Sequence, residues 1–513
     1  MQRCRLPSRL PALASLALVS LAVMPACCGT AVARPVSPLG HAGRWITDAR
    51  GRVVVVHGIN MVYKLPPYYP AAAGFGDDDA AFLARIGFNV VRVGVIWKAV
   101  EPRPGVYDER YLRAIAATVR TLARHGILSV LDFHQDLYNE RFQGEGAPDW
   151  AVQDGGLPNL RLGFPANYAA NPALEHALDA FWANSPGPGG IGLQARFAAT
   201  WNHVAARFHS VQSVLGYELY NEPFPGTPWA SCLLPAGCPG FNGQLTAFYR
   251  RVDHAIRAVD PRTLVWYEPN VLFDEGLPTG LGSLRDRDAG LAFHDYCPTE
   301  ATGAPGACAG FDDSVFSRAQ AGAAGSHRAL MLTEFGATND APYLNDMVAR
   351  ADRLMVPWIE WAYCGCSDPT TTGPGTKQAI VIDPHKSPSG ANLELGTLRS
   401  LVEPYPQVIA GTPRAWSYDR STRRFRLSYA NARVGTRVGR FPPGSVTEIS
   451  TPGMVYGRRY AAQVSGGVVV SRPGASLLRI SSCPGARTIT VNVSASGATR
   501  GSCRAATHRH VDA

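Results

Sequence analysis

After its first 33 residues the chain has no apolar run long enough to span a bilayer, so no internal membrane segment is expected. It has no paired C-x-x-C units with histidines at ligand spacing, which argues against a structural zinc site. The segment after Val56 reads His57-Gly58-Ile59-Asn60 and lacks the glycine-rich phosphate loop that an open, doubly wound sheet needs there. No low-complexity tract appears, and 46% hydrophobic with 17% charged residues is the composition of a chain that buries a large core. Lysine is nearly absent: Lys64, Lys98, Lys377 and Lys386 are the only four in 513 residues. That length exceeds one ordinary domain and suits a barrel plus a second module.

What is present begins with an address. Arg3, Arg5 and Arg9 precede an apolar run from Leu10 to Val23, and an Ala-x-Ala pattern follows at Ala31 and Ala33. Residues 1–33 therefore read as a secretory signal peptide. The run is short for a membrane anchor. Cys27 and Cys28 raise lipoprotein anchoring as an alternative, but Met24, Pro25 and Ala26 before them fit a lipobox poorly. Of eleven cysteines, eight lie beyond this region, an even number in an export context. Proximity pairs Cys232 with Cys238, Cys297 with Cys308 and Cys483 with Cys503. Cys364 and Cys366 remain, one glycine apart. A direct bond between them is expected to be strained, which leaves a partner elsewhere open.

Charge is unevenly spread. The whole chain is +9, of which residues 1–34 contribute +4. Residues 406–505 contribute +13, fifteen arginines against Asp419 and Glu448. The last eight residues cancel, so residues 35–405 carry −8. An acidic body with a basic C-terminal module predicts two domains with different partners.

Between about residues 40 and 405 one theme recurs: a β-rich apolar run, a polar or aromatic cluster, then a helical stretch. The runs are Arg52–Asn60, Asn89–Trp97, Ile127–His134, Val214–Glu222, Thr263–Asn270, Leu291–Tyr296, Ala329–Gly336 and Val356–Tyr363. Near-continuous apolar strands alternating with helices predict a buried parallel sheet, and eight units predict a closed (β/α)8 TIM barrel. Long segments at 139–190, 223–243 and 271–288 follow runs three, four and five, on the face where barrel sites lie. After Pro406 short β-rich runs recur: Ala415–Tyr418, Arg424–Ala430, Ser445–Ser450, Val468–Ser471, Leu477–Ile480 and Thr488–Val493. They predict an antiparallel β-sandwich over 406–505.

Two strand ends carry the chemistry. Run four ends Leu219-Tyr220-Asn221-Glu222-Pro223, and run seven ends Thr333-Glu334-Phe335-Gly336. A buried glutamate is costly unless paired or used. A lone one is most often half of an ion pair, but two converging at a barrel mouth form the arrangement for glycoside hydrolysis, one a protonated acid and the other an ionised nucleophile. Arg92 on strand two is placed to hold the nucleophile ionised. Asn221 is placed to meet a sugar 2-hydroxyl. His294 and Tyr296 close strand six and can orient the nucleophile. Trp361 offers a ring for sugar stacking, with Trp358 competing for that role. Asp132 and His134 alternate to one side of strand three, for sugar contact and scaffolding. His134-x-Asp136 hints at a metal but shows no third ligand. Lys64, just past strand one, is either a solvated surface lysine or a sugar contact.

These motifs resemble a known family. The barrel is similar to family 5 glycoside hydrolases, and the likeness makes Glu222 the acid/base and Glu334 the nucleophile. GINMVYKLPPYYP, LDFHQDLYNERF with GAPDWA, LYNEPF and HDYC resemble endoglycoceramidases over roughly residues 45–410. Those enzymes cut the bond between oligosaccharide and ceramide in glycosphingolipids. By that resemblance Lys64, Asp132, His134, Asn221, Tyr296 and a strand-eight tryptophan line the sugar subsite, and the reaction retains anomeric configuration. No cofactor or metal is implied, since two carboxylates and water suffice. Ceramide calls for an apolar groove, and Tyr63, Leu65, Pro66, Pro67, Tyr68 and Tyr69 are the expected start of one. The closely related endogalactosylceramidases share the resemblance; an endo-β-glucanase or other β-glycosidase acting on soluble glycans and a non-catalytic glycolipid binder are the alternatives. The arginine-rich C-terminal module is a candidate contact for an anionic membrane or micelle surface.

Overall fold

The computed structural model describes residues 35–234, 237–301, 307–370, 378–435 and 439–503. The expected leader at 1–33, with Cys27 and Cys28, lies outside them, as do Lys377 and the last two residues of the expected sandwich.

Eight parallel strands close into a barrel. In chain order they are His57–Met61, Val90–Val95, Leu128–Phe133, Val214–Glu218, Leu264–Tyr267, Ala289–Asp295, Ala329–Phe335 and Trp358–Glu360. Every one falls within or overlaps an expected run. Each is buried along its whole length, because helices cover the outside and side chains fill the inside. The interior is packed by Val56, Val90, Val130, Leu215, Trp266, Ala292, Met331 and Ile359. Trp266 fits because its neighbours are small: a Cβ on Gly216 or Gly290 would approach its ring to 2.3 Å.

The covering helices follow from pattern and caps. In Glu109–Arg124 the buried residues Leu112, Ile115, Ala116, Val119 and Leu122 recur at helical spacing. Asp108 starts it by accepting from the amides of Arg110 and Tyr111, and Gly126 follows its end at φ 76°.

The first expected run is divided in the structure. Its barrel strand is His57–Met61, whereas Val53–Val54 pairs antiparallel with Tyr405–Ile409 in a different sheet. Gly40–Ala42 and Trp45–Thr47 extend that same sheet, so the N-terminal segment and the C-terminal module build it together. The sheet has seven strands and faces one of four: Thr412–Asp419, Arg424–Ala430, Thr488–Ser494 and Ala461–Ser465. Ile409, Ile449, Leu478 and Ile480 from one meet Trp416, Phe425, Tyr429 and Val491 from the other in a single core. Gly40–Ala42 and Trp45–Thr47 lie outside every expected run, and so do two strands of the C-terminal module. Tyr405–Ile409 contains Pro406, which reads as a strand breaker, and Ala461–Ser465 is poor in β-branched residues.

All four expected or leftover cysteine pairs are joined: Cys232–Cys238, Cys297–Cys308, Cys483–Cys503 and Cys364–Cys366. The last closes the pairing that the sequence left open: Cys364 and Cys366 bond each other. No helix among the described residues is long and apolar enough to cross a membrane.

Candidate active site

Arg92 stands fully buried on strand two at the top layer of the barrel. Taking a guanidinium out of water costs several kcal/mol unless partners replace the water. Glu218 does so at 2.8 Å, Asp132 at 3.1 Å and Glu268 at 3.5 Å, and Glu334 pairs with Arg92 through Oε1. Asn60 and Asn221 accept its remaining protons at 3.1 and 2.8 Å. Sequence reasoning found Arg92 and Asn221 but missed Glu218 and Glu268. Their only signal is an acid inside or just after a strand that is otherwise apolar.

This hub holds Glu334 from one side, and Tyr296 donates to its other oxygen at 2.9 Å. A bulge between Leu332 and Glu334 sets Glu334 opposite His294. Glu222 lies beyond the regular part of strand four, in a left-handed conformation at φ 43°. A non-glycine residue is strained there and persists only if its surroundings hold it. Asn221 N donates to Phe133 O at 3.1 Å, Glu222 N donates to Glu268 Oε2 at 3.1 Å, and Gln135 donates to the carbonyl oxygens of Asn221 and Glu222 at 2.8 and 3.2 Å.

A carboxylate oxygen from each glutamate and a ring nitrogen of His294 all lie within 4.8 Å of one another. The two carboxyls therefore face each other across one site. His294 Nδ1 is 2.8 Å from Glu222 and 3.7 Å from Glu334. It stands between the two: its hydrogen bond goes to Glu222, and it also favours the ionised form of Glu334, the glutamate it was expected to support. Burial holds the His294 imidazole below its usual pKa. Burial, then Asp136, pushes Glu222 up to about 7, against the opposing pull of His134, Lys64 and Arg92. Burial also raises Glu334, while His294 and Arg92 work against it. The arrangement therefore offers a protonated carboxylic acid beside a carboxylate braced by a guanidinium.

Lys64 is not a surface lysine. It is buried, with Nζ 2.6 Å from Asp136, 2.8 Å from Thr370 and 3.2 Å from Asp368, and 4.5 Å above the Trp361 ring. His134 stacks on the same ring at 5.4 Å and bonds Asp132 at 2.7 Å. Burial disfavours its charge, but Asp132 and Asp136 together outweigh that and lift His134 to about 10. Asp132 itself is fully buried behind His134, so the expected sugar contact is corrected: Asp136 takes that place on the wall. Glu145, missed in the sequence, is the third ligand-type group beside His134 and Asp136 that the sequence did not show. Lys64 already provides a cation there. Trp361 faces the site, whereas Trp358 packs in the core between His57, Phe88 and Phe335.

One cavity of about 980 Å³ joins these groups. Lys64, His134, Asp136, Asn221, Tyr296 and Trp361 line it near the two glutamates. The three long loops supply an apolar wall: Phe164 and Tyr168, then Phe224 and Trp229, then Val271 and Leu272. Tyr168 stacks on Phe224 at 4.5 Å, which makes the wall continuous between loops. The groove expected along residues 63–69 is not this wall. Tyr68 instead bonds Glu140, Tyr69 packs on Tyr111, and Tyr63 lines a separate cavity.

Comparison with known proteins agrees with this geometry. Residues 47–367 match the family described as Cellulase (glycosyl hydrolase family 5), and residues 404–493 match the glycoside hydrolase family 5 C-terminal domain. Endoglycoceramidase I of Rhodococcus hoagii is 32% identical over 482 residues, covering 91% of this chain and 90% of that protein. Endo-glycoceramidase II of Rhodococcus sp., solved as a lactosyl-enzyme intermediate, aligns with TM-score 0.70 at 27% identity, covering 88% of this chain and 99% of that one. The same enzyme in complex with ganglioside GM3 aligns with TM-score 0.70 at 26% identity and the same coverage. The chain belongs to glycoside hydrolase family 5, among its endoglycoceramidases.

Proposed function

We propose that this chain is a secreted, retaining hydrolase that cleaves the β-glycosidic bond between oligosaccharide and ceramide. One observation carries the reading: a single cavity joins the paired glutamates and the polar groups around them to an apolar wall built by three loops. Glu334 attacks the anomeric carbon, and Glu222 gives its proton to the leaving oxygen. Water, deprotonated by Glu222, then releases the sugar from Glu334. Asn221, His134, Asp136, Lys64, Tyr296 and Trp361 hold the sugar, and Asp132 braces His134. Arg92 and Tyr296 stabilise the carboxylate of Glu334, and His294 orients Glu222.

The loops that build the apolar wall also present Leu160 (43% exposed), Leu162 (50%), Leu233 (52%) and Leu234 (59%) to solvent, which suits a lipid-bearing substrate. Four disulfides among the described residues support export to an oxidising compartment. We assign a second lipid contact to the basic module, because Arg424 and Arg426 point outward together on one strand. Incubation with a panel of glycosphingolipids and with cellulose tests the reading. Free ceramide and an intact oligosaccharide are expected. Release of cello-oligosaccharides alone would make the chain a glucanase, and an inverted first-formed anomer in NMR would exclude the covalent intermediate.

A further inference from the structure

The loop after strand five carries a side chain that the reaction above does not use. Asp274 is 4% exposed and lines the cavity, yet its carboxyl has no hydrogen-bond partner among the described residues. It follows the short helical turn Val271–Phe273, whose first amide donates to the carbonyl of Pro223, the residue after Glu222, at 3.1 Å. The turn is thereby fixed to the acid/base residue. Around Asp274 stand Val271 and Leu272 on its own turn and Phe224 and Trp229 on the neighbouring loop, with Glu275 the next acid on the lining. The Asp274 carboxyl is thus a polar group that the wall presents to the cavity, free to pair with a bound molecule. Burial, then Glu222 and Glu275, push the Asp274 carboxyl well above the usual range, so it presents one O–H donor and one carbonyl acceptor.

The chemistry of the aglycone says what completes it. Glu222 must reach the glycosidic oxygen, so a group fixed beside Glu222 on the apolar side meets the first atoms of the leaving group. In a sphingoid aglycone those atoms carry an amide on the second carbon and a hydroxyl on the third. A plain alkyl or steryl aglycone offers neither. We propose that Asp274 recognises the amide and hydroxyl of the sphingoid head, and so selects ceramide over other lipid aglycones. This rests on the ceramide reading given above.

The test compares kcat/KM for a detergent-dispersed glycosylceramide with that for an alkyl glycoside of the same sugar and similar chain length. Asp274→Leu should lower the ceramide-to-alkyl ratio by roughly ten- to thirtyfold, the loss of a buried hydrogen bond or two. Asp274→Asn keeps a donor and an acceptor and should hold the ratio within about threefold. An unchanged ratio in Asp274→Leu overturns the proposal. Should that variant not fold, the wild-type protein decides with a glycosylceramide analogue lacking the 3-hydroxyl and amide N–H: equal turnover of analogue and parent overturns it too. Wild-type protein that cleaves the alkyl glycoside but leaves glycosylceramide intact overturns the ceramide reading itself, a separate outcome.

Discussion

The two ends of the barrel bury similar groups and do different things with them. At the mouth, Arg92, Lys64 and their acids face a cavity. At the opposite end the sandwich packs against strand starts and helix ends. His57, which opens strand one, lies between the rings of Trp358 and Tyr405 at 4.3 and 3.7 Å. Trp416 donates to Asp352 at 2.7 Å, Arg420 pairs with Glu403 at 3.0 Å, and Tyr405 donates to Gly87 O at 2.8 Å. Burial lowers His57 well below its usual pKa and raises Asp352 to about 7, much as it raises Glu222. A displaced pKa therefore does not mark a site by itself. The mouth is a site because its displaced groups face a cavity in reach of one another, while the far end is closed by aromatic packing.

Breaking this contrast starts with the mouth. Glu334→Gln should lower kcat by about 10⁴–10⁶-fold, as removal of a nucleophile does, while the melting temperature stays within a few degrees of wild type. Residual turnover of a tenth or more would move the nucleophile elsewhere. Glu222→Ala should cost about 10²–10⁴-fold on a glycosphingolipid but far less on an activated aryl glycoside, whose leaving group needs no proton. For the wild type, glycolipid cleavage should fall as pH rises through about 7, because the ionised Glu222 has no proton to give. A pH profile of Glu222→Ala that keeps this basic limb would assign the limb to another group. Lys64→Met leaves Asp136 and Asp368 buried without their cation, and should lower kcat/KM about a hundredfold, equivalent to about 3 kcal/mol.

The far end should answer differently. Trp416→Phe removes the donor to Asp352 and should cost about 1–3 kcal/mol in urea unfolding with kcat/KM unchanged. Equal losses of stability and turnover would erase the distinction between the ends. The smallest effect on turnover is expected from Arg423, Arg424 and Arg426 changed together to Gln: soluble aryl glycoside turnover unaffected, with weaker, less salt-dependent binding to anionic vesicles, by about 1 kcal/mol per residue.

The barrel was legible because its strands are apolar throughout and its helices keep a helical period, two patterns that local physics imposes. Glu222 and Glu334 were legible because each closes a strand. Asp132 was misplaced because alternation tells which face a residue takes, not how deep it sits: His134 covers it. The wall was misplaced because residues 63–69 look apolar in sequence, while the real wall comes from three loops whose aromatics meet only in space.

By itself the sequence determined the eight-stranded barrel, the sandwich, three of the four disulfides and the two glutamates, all features with a local signature in period, spacing or strand end. Only the tertiary structure decided that residues 40–54 complete the C-terminal sheet. It alone decided that Lys64 is buried against Asp136 and Asp368, that His294 bonds Glu222, and that Asp274 faces the cavity beside Val271 and Leu272. Each of these depends on contacts between residues tens to hundreds of positions apart, and the burial that sets their charge exists only once the barrel has closed.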